Sequence, residues 1–287
     1  MEFGILYPQT EYGSDPAAIR DFAQTAEELG FSHILTYEHV LGVDPNRPGW
    51  KGIYGLDDAF HEPFSLFSFM AGVTEQISFF TSIVILPQRQ TVLAAKQAAT
   101  LDVLSAGRLR LGVGIGWNEP EYIALGEDFH NRGKRVEEQV ELMRKLWTEP
   151  LVNFSGEWNI VEDSGLNPMP IQRPIPIWFG GHAEPVIRRT ARLGDGWIPN
   201  YPTAEKAKPH FEYLEQHLEQ AGRTINEFGI EVRVHYREGD PDRIGGVIQD
   251  WKAGGATHIG LSTMNSRLDG PEDHLKAMRS FAESHLS

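Results

Sequence analysis

Residues 77–119 limit the folds open to this chain more than any other segment, because they predict a strand, a helix and a second strand in succession. The apolar, β-branched run 77–86 is followed directly by Pro87, which is typical of a strand buried on both faces. Apolar residues recur at helical spacing over 91–105, and 109–113 is a second apolar strand. Strands joined through a helix in this way lie parallel, with a right-handed crossover. The segment therefore predicts an α/β fold with a parallel sheet.

Strand and helix patterns alternate along the rest of the chain in the same way. Strands are predicted at residues 2–7, 33–37, 77–86, 109–113, 175–179, 196–199, 230–236 and 257–261. Helices are predicted at residues 16–29, 63–74, 91–105, 131–147, 183–193, 203–221, 240–253 and 271–285. Eight strand–helix repeats within 287 residues predict a closed barrel. The predicted fold is α/β, a single (β/α)8 TIM barrel with insertion loops that occupies residues 1–287 as one domain.

Two segments interrupt the alternation and are predicted to be insertions. Residues 41–62 are rich in glycine and proline, and loops of this length in compact domains are usually functional. The aromatic residues on this loop are Trp50, Tyr54 and Phe60. Such loops are functional lids or disordered segments, and the aromatic residues favour a lid that covers a binding site. Residues 152–154 and 158–160 predict the two strands of a small hairpin.

The composition excludes several classes of protein. The chain has no cysteine, which rules out disulfides, thiolate metal sites and cysteine nucleophiles. Its 26 Lys and Arg residues against 40 Asp and Glu give a formal charge of −14, and an acidic surface argues against non-specific binding to nucleic acids or anionic membranes. The first residues lack the basic start of a signal peptide, and no apolar run is long enough to cross a bilayer. We expect a soluble, cytoplasmic protein with no nucleic-acid or membrane partner.

The predicted fold also predicts where the active site lies. In TIM barrels the site is built at the carboxyl ends of the strands, from the loops that follow them. The candidate catalytic and cofactor-binding residues at these ends are Glu38, His39, Ser82, Ile83, Gly114, Gly116, Trp117, Asn118, Gly180, Gly181, His182 and Asn200. We expect a small-molecule substrate to bind among them.

Two glycine-containing turns in this set suggest space for a ligand. Gly180 and Gly181 lie between a strand and a helix, where glycine lets the backbone approach a ligand and free N–H groups attract phosphate. A tight turn without a ligand is the alternative interpretation. Gly112, Gly114 and Gly116 lack the spacing of a dinucleotide-binding fingerprint. We interpret them as room for a flat ligand.

His39 is the favoured candidate for proton transfer. It ends a strand, follows a carboxylate and precedes the long loop, and histidine exchanges protons near neutral pH. Glu38 is the second catalytic candidate. If the strand continues through Glu38, its side chain points away from that of His39, into the barrel.

A metal centre and a serine hydrolase site are the rival interpretations. A metal centre would need histidines to converge with a carboxylate from Glu38 or Asp195, and the candidate histidines are His39, His61, His182 and His235. However, Pro8 and Gln9 stand where barrel hydrolases commonly have a His-x-His pair, and no H-x-x-x-H helix occurs. No G-x-S-x-G elbow is present either. We therefore predict neither a metal site nor a serine triad.

Several motifs together resemble a known family. In chain order they are GILYPQ, TYEHV, TSIVILP, AGRLRLGVGIGWNEPEY, RPIPIWFGG and ARLGDGW. The series resembles the bacterial-luciferase-like superfamily of flavin- and deazaflavin-dependent oxidoreductases, and it covers essentially the whole chain. Further motifs, among them FHNRGKRVEEQ and THIGLSTMN, are similar to a branch expected to use coenzyme F420.

The resemblance implies roles for particular residues around a flavin or deazaflavin ring bound at the carboxyl ends of the strands. Ser82 and Ile83 match a pair joined by a cis peptide that lies against the ring. Gly180 and Gly181 match the cradle for the cofactor phosphate. His39 matches the histidine that lies near the reactive ring carbon with both coenzymes.

Two positions depart from the sugar-phosphate dehydrogenases of this superfamily. Trp117 stands where those enzymes have a glutamate that donates a proton, and Asn200 begins the segment where they have a lysine for the sugar phosphate. Glucose-6-phosphate is therefore a poor substrate candidate. Together with Trp50 and Tyr54, Trp117 indicates an apolar or aromatic pocket.

Hydride transfer between coenzyme F420 and a small organic substrate is the expected activity, in a homodimer. The alternatives are an FMN-dependent monooxygenase and a non-catalytic flavin-binding protein. The oligoglutamate tail of F420 would favour basic residues near the phosphate site, where FMN would need none. The candidates for that role are Arg47, Lys51 and Arg89.

Overall fold

The computed structural model describes residues 1–236 and 241–286, with the backbone alone described at residues 241 and 242. The strands are β1 (Glu2–Leu6), β2 (His33–Thr36), β3 (Ser78–Thr81), β4 (Val84–Ile85), β5 (Leu109–Gly114), β6 (Val152–Ser155), β7 (Ile160–Ser164), β8 (Ile177–Gly180), β9 (Gly196–Ile198), β10 (Gly229–His235) and β11 (His258–Ser262). The α-helices are α1 (Gln9–Tyr12), α2 (Pro16–Glu28), α3 (Pro63–Ala71), α4 (Thr91–Leu104), α5 (Glu119–Ala124), α6 (Arg132–Thr148), α7 (Glu184–Leu193), α8 (Ala204–Gln220), α9 (Pro241–Ala253) and α10 (Gly270–His285). The predicted helix start at residue 240 lies outside the described residues.

The strands close into a parallel barrel. The order around it is β1, β2, β3 continued by β4, β5, β8, β9, β10 and β11, and β11 pairs again with β1. All of these neighbouring strands are parallel. The predicted eight-position TIM barrel is therefore confirmed. Among the described residues, no helix is both long and apolar enough to span a membrane.

The third barrel strand is interrupted, whereas the sequence pattern predicts one strand over residues 77–86. β3 ends at Thr81, the chain leaves the sheet at Ser82 and Ile83, and β4 then pairs with β5. The peptide bond between Ser82 and Ile83 is cis, as the family resemblance implies. The interruption lies at the carboxyl end of the strand, where the active site is expected.

Two short elements differ from the predictions. The second hairpin strand, β7, begins only at Ile160, whereas Trp158 and Asn159 lie in the turn. The Glu138 carboxylate accepts hydrogen bonds from the N–H groups of Glu157 and Trp158 at 2.7 and 3.0 Å, which holds this turn against α6. Helix α1 escapes prediction because its 4 residues are too few to show a helical period.

Residues 41–62 form the long loop that the sequence predicts. Its described backbone contains one isolated bridge, between Val43 and Gly55. The end of the loop is fixed, because His61 N–H donates to Gln9 Oε1 at 2.8 Å and the Glu62 carboxylate caps α3. The loop therefore joins β2 to α3 with little regular structure of its own.

The close contact between β3 and β5 depends on a glycine, Gly112. Thr81 Oγ1 donates to the Gly112 carbonyl oxygen and accepts from the Gly112 N–H, both at 2.8 Å. A Cβ atom at Gly112 would collide with the carbonyl oxygen of Thr81 and lie 3.0 Å from Cε2 of Phe80. The close approach of these two strands therefore requires glycine.

We expect Gly112→Ala to lower the free energy of unfolding by about 3 kcal/mol or more, because backbone atoms of two barrel strands must separate. Gly246→Ala is the matched control, since Gly246 lies in α9 and nothing lies within 4 Å of the position that an added methyl group would take. That control is expected to stabilise the protein by about 0.5–1 kcal/mol. Urea unfolding followed by circular dichroism measures both changes. Equal stabilities for the two variants would contradict the packing argument.

Candidate active site

A cavity of about 530 Å³ opens at the carboxyl ends of the barrel strands. The sequence-predicted site residues that line it are Glu38, His39, Ser82, Ile83, Gly116, Trp117, Asn118, Gly180, Gly181, His182 and Asn200. The structure thus brings together residues that follow several separate barrel strands, as the barrel geometry requires. Of the twelve catalytic and cofactor-binding candidates at the strand ends, Gly114 is the one that does not line this cavity.

The space beside Gly114, at the end of β5, and Gly116, in the turn after it, is filled by side chains of the protein itself. A Cβ at Gly114 would collide with Cδ1 of Ile83, and one at Gly116 would lie 2.8 Å from Cγ2 of Ile85. The interpretation of Gly114 as direct room for a flat ligand is therefore wrong. Gly114 acts indirectly, because it lets the Ile83 side chain reach the cavity wall.

One wall of the cavity combines an apolar surface with unpaired polar atoms. Ile83 also lies against Gly180, where a Cβ would approach its Cγ2 to 2.7 Å. Ser82 Oγ and Asn118 Oδ1 are buried without a hydrogen-bond partner, and both residues line the cavity. Buried polar atoms normally find a partner. These atoms therefore fit a ligand with a flat apolar face and a polar edge, such as a flavin or deazaflavin ring.

His39 is held by a carboxylate that the sequence analysis missed. Its Nδ1 lies 3.3 Å from Oε1 of Glu121, and the same oxygen accepts the N–H groups of Val40 and Leu41 at 2.7 and 3.1 Å. Burial alone would raise the pKa of Glu121, but these hydrogen bonds outweigh it and hold the pKa below its usual range. Glu121 is therefore ionised at neutral pH.

Aromatic rings surround His39 on its other sides. Ring centroids of Tyr54, Phe60 and Trp117 lie 5.1, 4.9 and 5.5 Å from the His39 ring. Burial raises the pKa of Tyr54 to about 12, so its hydroxyl stays protonated at neutral pH. Trp50 in turn lies 5.5 Å from Trp117. The loop predicted as a lid thus contributes aromatic side chains directly beside the candidate proton carrier.

Glu38 borders the cavity, but its carboxylate is engaged by protein groups. Arg89 donates to Oε1 through Nε and Nη2, and Ile85 N–H donates to Oε2. Arg89 also donates to Oε1 of Glu62 at 2.9 Å. Burial alone would lower the pKa of Arg89, but the two carboxylates raise it above its usual value. Both oxygens of Glu38 therefore accept hydrogen bonds from protein groups, which indicates a structural role, and its catalytic role stays a prediction.

The basic residues predicted to bind an oligoglutamate tail do not line the cavity. Arg89 is bound to the two carboxylates, while Arg47 and Lys51 lie on the long loop away from the cavity wall. Arg233, which sequence reasoning missed, is the one Lys or Arg among the described residues that line the cavity. Its Nη2 donates to Asn200 Oδ1 at 3.3 Å.

The alternation of side chains along β10 could have identified Arg233 from the sequence. Side chains alternate along a strand, so Glu231, Arg233 and His235 share one face of β10. The guanidinium carbon of Arg233 lies 5.4 Å from the ring centroid of Tyr37. A cation in this position suits a ligand that carries a negative charge.

Across residues 1–236 and 241–286, no group of three His, Asp or Glu side chains converges as a metal ion would require.

Comparison with known proteins shows which protein family the chain belongs to. The model of the luciferase-like monooxygenase family matches residues 1–258, and the chain belongs to this family. The resemblance to the bacterial-luciferase-like superfamily is confirmed. The protein is therefore a luciferase-like oxidoreductase.

Individual relatives cover most of the chain. The chain is 37% identical over 209 residues to an uncharacterised protein of Mycobacterium tuberculosis, a match that covers 70% of this chain and 72% of the relative. It is 30% identical over 247 residues to pyrimidine monooxygenase RutA of Allorhizobium ampelinum, covering 79% and 65% of the two chains. It is 28% identical over 223 residues to the FMNH2-dependent dimethylsulfone monooxygenase of Pseudomonas putida, covering 76% and 58%.

Solved structures share the whole fold at low sequence identity. Monooxygenase RslO1 from Streptomyces bottropensis has a TM-score of 0.81 and 22% identity, covering 100% of this chain and 99% of that one. The coenzyme F420-dependent tetrahydromethanopterin reductase of Methanopyrus kandleri has a TM-score of 0.80 and 16% identity, with coverages of 99% and 98%. An F420-dependent secondary alcohol dehydrogenase has a TM-score of 0.80 and 17% identity, with coverages of 99% and 97%. These likenesses show the fold.

We expect Arg89→Met to lower the free energy of unfolding by about 3–5 kcal/mol, because it leaves the Glu38 carboxylate buried without a counter-charge. Adding Glu38→Gln to that variant is expected to restore part of the loss. Arg47→Met is the control, since Arg47 is exposed on the loop and its loss should cost less than about 0.5 kcal/mol. Urea unfolding at pH 7 compares the four proteins. A loss in Arg89→Met no larger than in Arg47→Met would show that the buried pair is unimportant for stability.

Proposed function

We propose that the protein is an F420-dependent oxidoreductase that transfers a hydride between the coenzyme and a small organic substrate. The observation that carries this proposal is the position of His39. A proton-exchanging side chain, fixed by an ionised carboxylate, borders a cavity whose wall suits a flat ring. Reducing a carbonyl or an activated double bond requires one hydride and one proton. The bound coenzyme supplies the hydride chemistry, and the protein supplies the proton.

The cavity wall offers groups suited to each part of the coenzyme. Ile83 presents an apolar surface for the ring, while Ser82 Oγ and Asn118 Oδ1 are free to bond with its polar edge. Gly180 ends β8, Gly181 lies between β8 and α7, and both line the same cavity. Their assignment to the phosphate group rests on the family resemblance, since the Gly181 N–H already donates to the Ile198 carbonyl oxygen at 3.2 Å. These residues would hold and orient the coenzyme.

His39 would exchange the proton that accompanies hydride transfer. Because Glu121 Oε1 can only accept, His39 Nδ1 carries a hydrogen, and Nε2 is the ring atom left for the substrate. During reduction the His39 ring would start as the imidazolium, donate its Nε2 proton to the substrate atom that gains charge, and return to the neutral Nδ1–H form. During oxidation it would accept that proton. The aromatic side chains around His39 exclude water from this exchange and favour an apolar or aromatic substrate.

An FMN-dependent monooxygenase is the second candidate, and two observations favour it. The relative from Pseudomonas putida is named as FMNH2-dependent. In addition, the basic residues predicted to bind an oligoglutamate tail do not line the cavity. Among the described lining residues, Arg233 is the one Lys or Arg. Against this, the motifs of the chain are similar to the branch expected to use F420, which is why hydride transfer from F420 is our first candidate.

Titration of the purified protein with each coenzyme separates the two candidates. We expect saturable binding of oxidised F420, seen as quenching of its fluorescence, at lower concentrations than FMN. Asn118→Leu should weaken that binding roughly tenfold, because a buried hydrogen bond to the ring is lost. Asn226→Leu, at an exposed position away from the cavity, should not change it. Tighter binding of FMN than of F420 would replace the first candidate with the second.

Turnover of His39→Asn tests the proton exchange. We expect the rate of the saturated enzyme to fall about 10²–10⁴-fold, the usual contribution of a positioned acid or base, with coenzyme affinity nearly unchanged. The control is His130→Asn, since His130 is exposed and does not line the cavity. Stopped-flow absorbance of coenzyme oxidation across pH 5–8 measures the step. A rate equal to that of the unchanged enzyme would leave His39 as a wall of the cavity only.

The assembly expected from the sequence is also part of this proposal. We propose a homodimer that acts on a small molecule in the cytoplasm. Light scattering of the purified protein gives its mass in solution, and a mass equal to one chain would contradict the dimer.

A further inference from the structure

Glu121 lies on the short helix α5, but its carboxylate is buried and accepts several hydrogen bonds. Its side chain is 1% exposed, although α5 lies beside the mouth of the cavity. Oε1 accepts from His39 Nδ1 and from the N–H groups of Val40 and Leu41, and Oε2 lies 3.5 Å from Nε2 of Gln88. A buried carboxylate with this set of donors is fixed in position.

The contacts of Glu121 couple two parts of the site. His39 is the candidate proton carrier, while Val40 and Leu41 begin the long loop that carries Tyr54 and Phe60. One oxygen atom therefore holds both the imidazole ring and the start of the aromatic loop. No other carboxylate among the described residues forms an ion pair with His39.

We propose that Glu121 is a positioning residue for His39. It fixes the tautomer with the hydrogen on Nδ1, turns Nε2 toward the substrate, and stabilises the imidazolium that forms whenever Nε2 takes up a proton. The role for Nε2 rests on the proposed function, whereas the hold on the ring and its tautomer does not. Partners of this kind, one contact away from a reacting group, commonly change activity about 10–100-fold.

The chain offers a substitution that separates charge from geometry. In Glu121→Gln, the remaining oxygen can still accept from His39, Val40 and Leu41. The new amide group would face Gln88, whose own Oε1 is buried without a partner and can accept from it after an amide flip. Glu121→Gln should therefore keep the site assembled and remove only the negative charge. Glu121→Met removes both the charge and the acceptor.

The first experiment reads the tautomer directly and needs no coenzyme. Nitrogen-15 chemical shifts of the His39 ring at pH 8 report which nitrogen carries the hydrogen. We expect Nδ1–H in the unchanged protein and in Glu121→Gln, but a mixture of both tautomers in Glu121→Met. Circular dichroism melting establishes that each variant is folded. The same tautomer in Glu121→Met as in the unchanged protein would overturn the proposal.

The second experiment asks whether the carboxylate acts through His39. We expect Glu121→Gln to lower kcat for substrate reduction about 10–100-fold with little change in KM. The high-pH limb of that rate profile, where His39 loses the proton that Nε2 donates, should shift to lower pH because the neighbouring negative charge is gone. In a His39→Asn background the same substitution should cost less than about twofold, because its target is gone. Glu119→Gln removes an exposed charge from the same helix and is the control, expected to behave like the unchanged enzyme.

The two experiments distinguish a failure of the positioning role from a failure of the proposed function. An equal loss from Glu121→Gln with and without His39 would overturn the positioning role, even if F420-dependent turnover is found. If neither coenzyme supports turnover but the tautomer responds as expected, the proposed function fails and the hold of Glu121 on His39 stands.

Discussion

The packing of β5 against β3 and β4 is the contact on which the rest of the site depends. Alternate residues of β5 and the turn after it lack side chains, at Gly112, Gly114 and Gly116, and the space is filled by Thr81, Ile83 and Ile85. This arrangement lets the chain leave the sheet at Ser82 and still close the barrel. The same contact turns the Ile83 side chain toward the cavity. Barrel closure and the flat wall of the site are thus two results of one glycine pattern.

The charges around the cavity are neutralised in pairs. Glu38 is bound by Arg89, and Glu121 is bound by His39 and backbone N–H groups. Although the chain as a whole carries a formal charge of −14, its acidic groups at the cavity are therefore shielded by close donors. Arg233 remains as a cation held by a neutral partner, Asn200. An acidic protein can in this way still offer a site suited to anionic cofactors.

The sequence predicts the barrel and much of the cavity lining because both follow from local periodicity. Strand ends place His39, Asn118 and Gly180 together once the closed parallel barrel is assumed. Glu121 could not be found in this way, since it lies on a short helix and 82 residues separate it from His39. The prediction of ligand space beside Gly114 fails for a related reason: a missing side chain indicates space, but the sequence does not say what fills it.

The anchoring of the long loop at both of its ends has a mechanical consequence. At one end, Val40 and Leu41 are bonded to Glu121; at the other, His61 is bonded to Gln9 and Glu62 to Arg89. Any change in the shape of the loop that preserves these bonds is confined to residues 42–60. The residues about which the loop can bend therefore lie outside the hydrogen-bonded pair of His39 and Glu121. Displacement of Tyr54 would change the dielectric surroundings of the imidazole while its hydrogen bond stays in place.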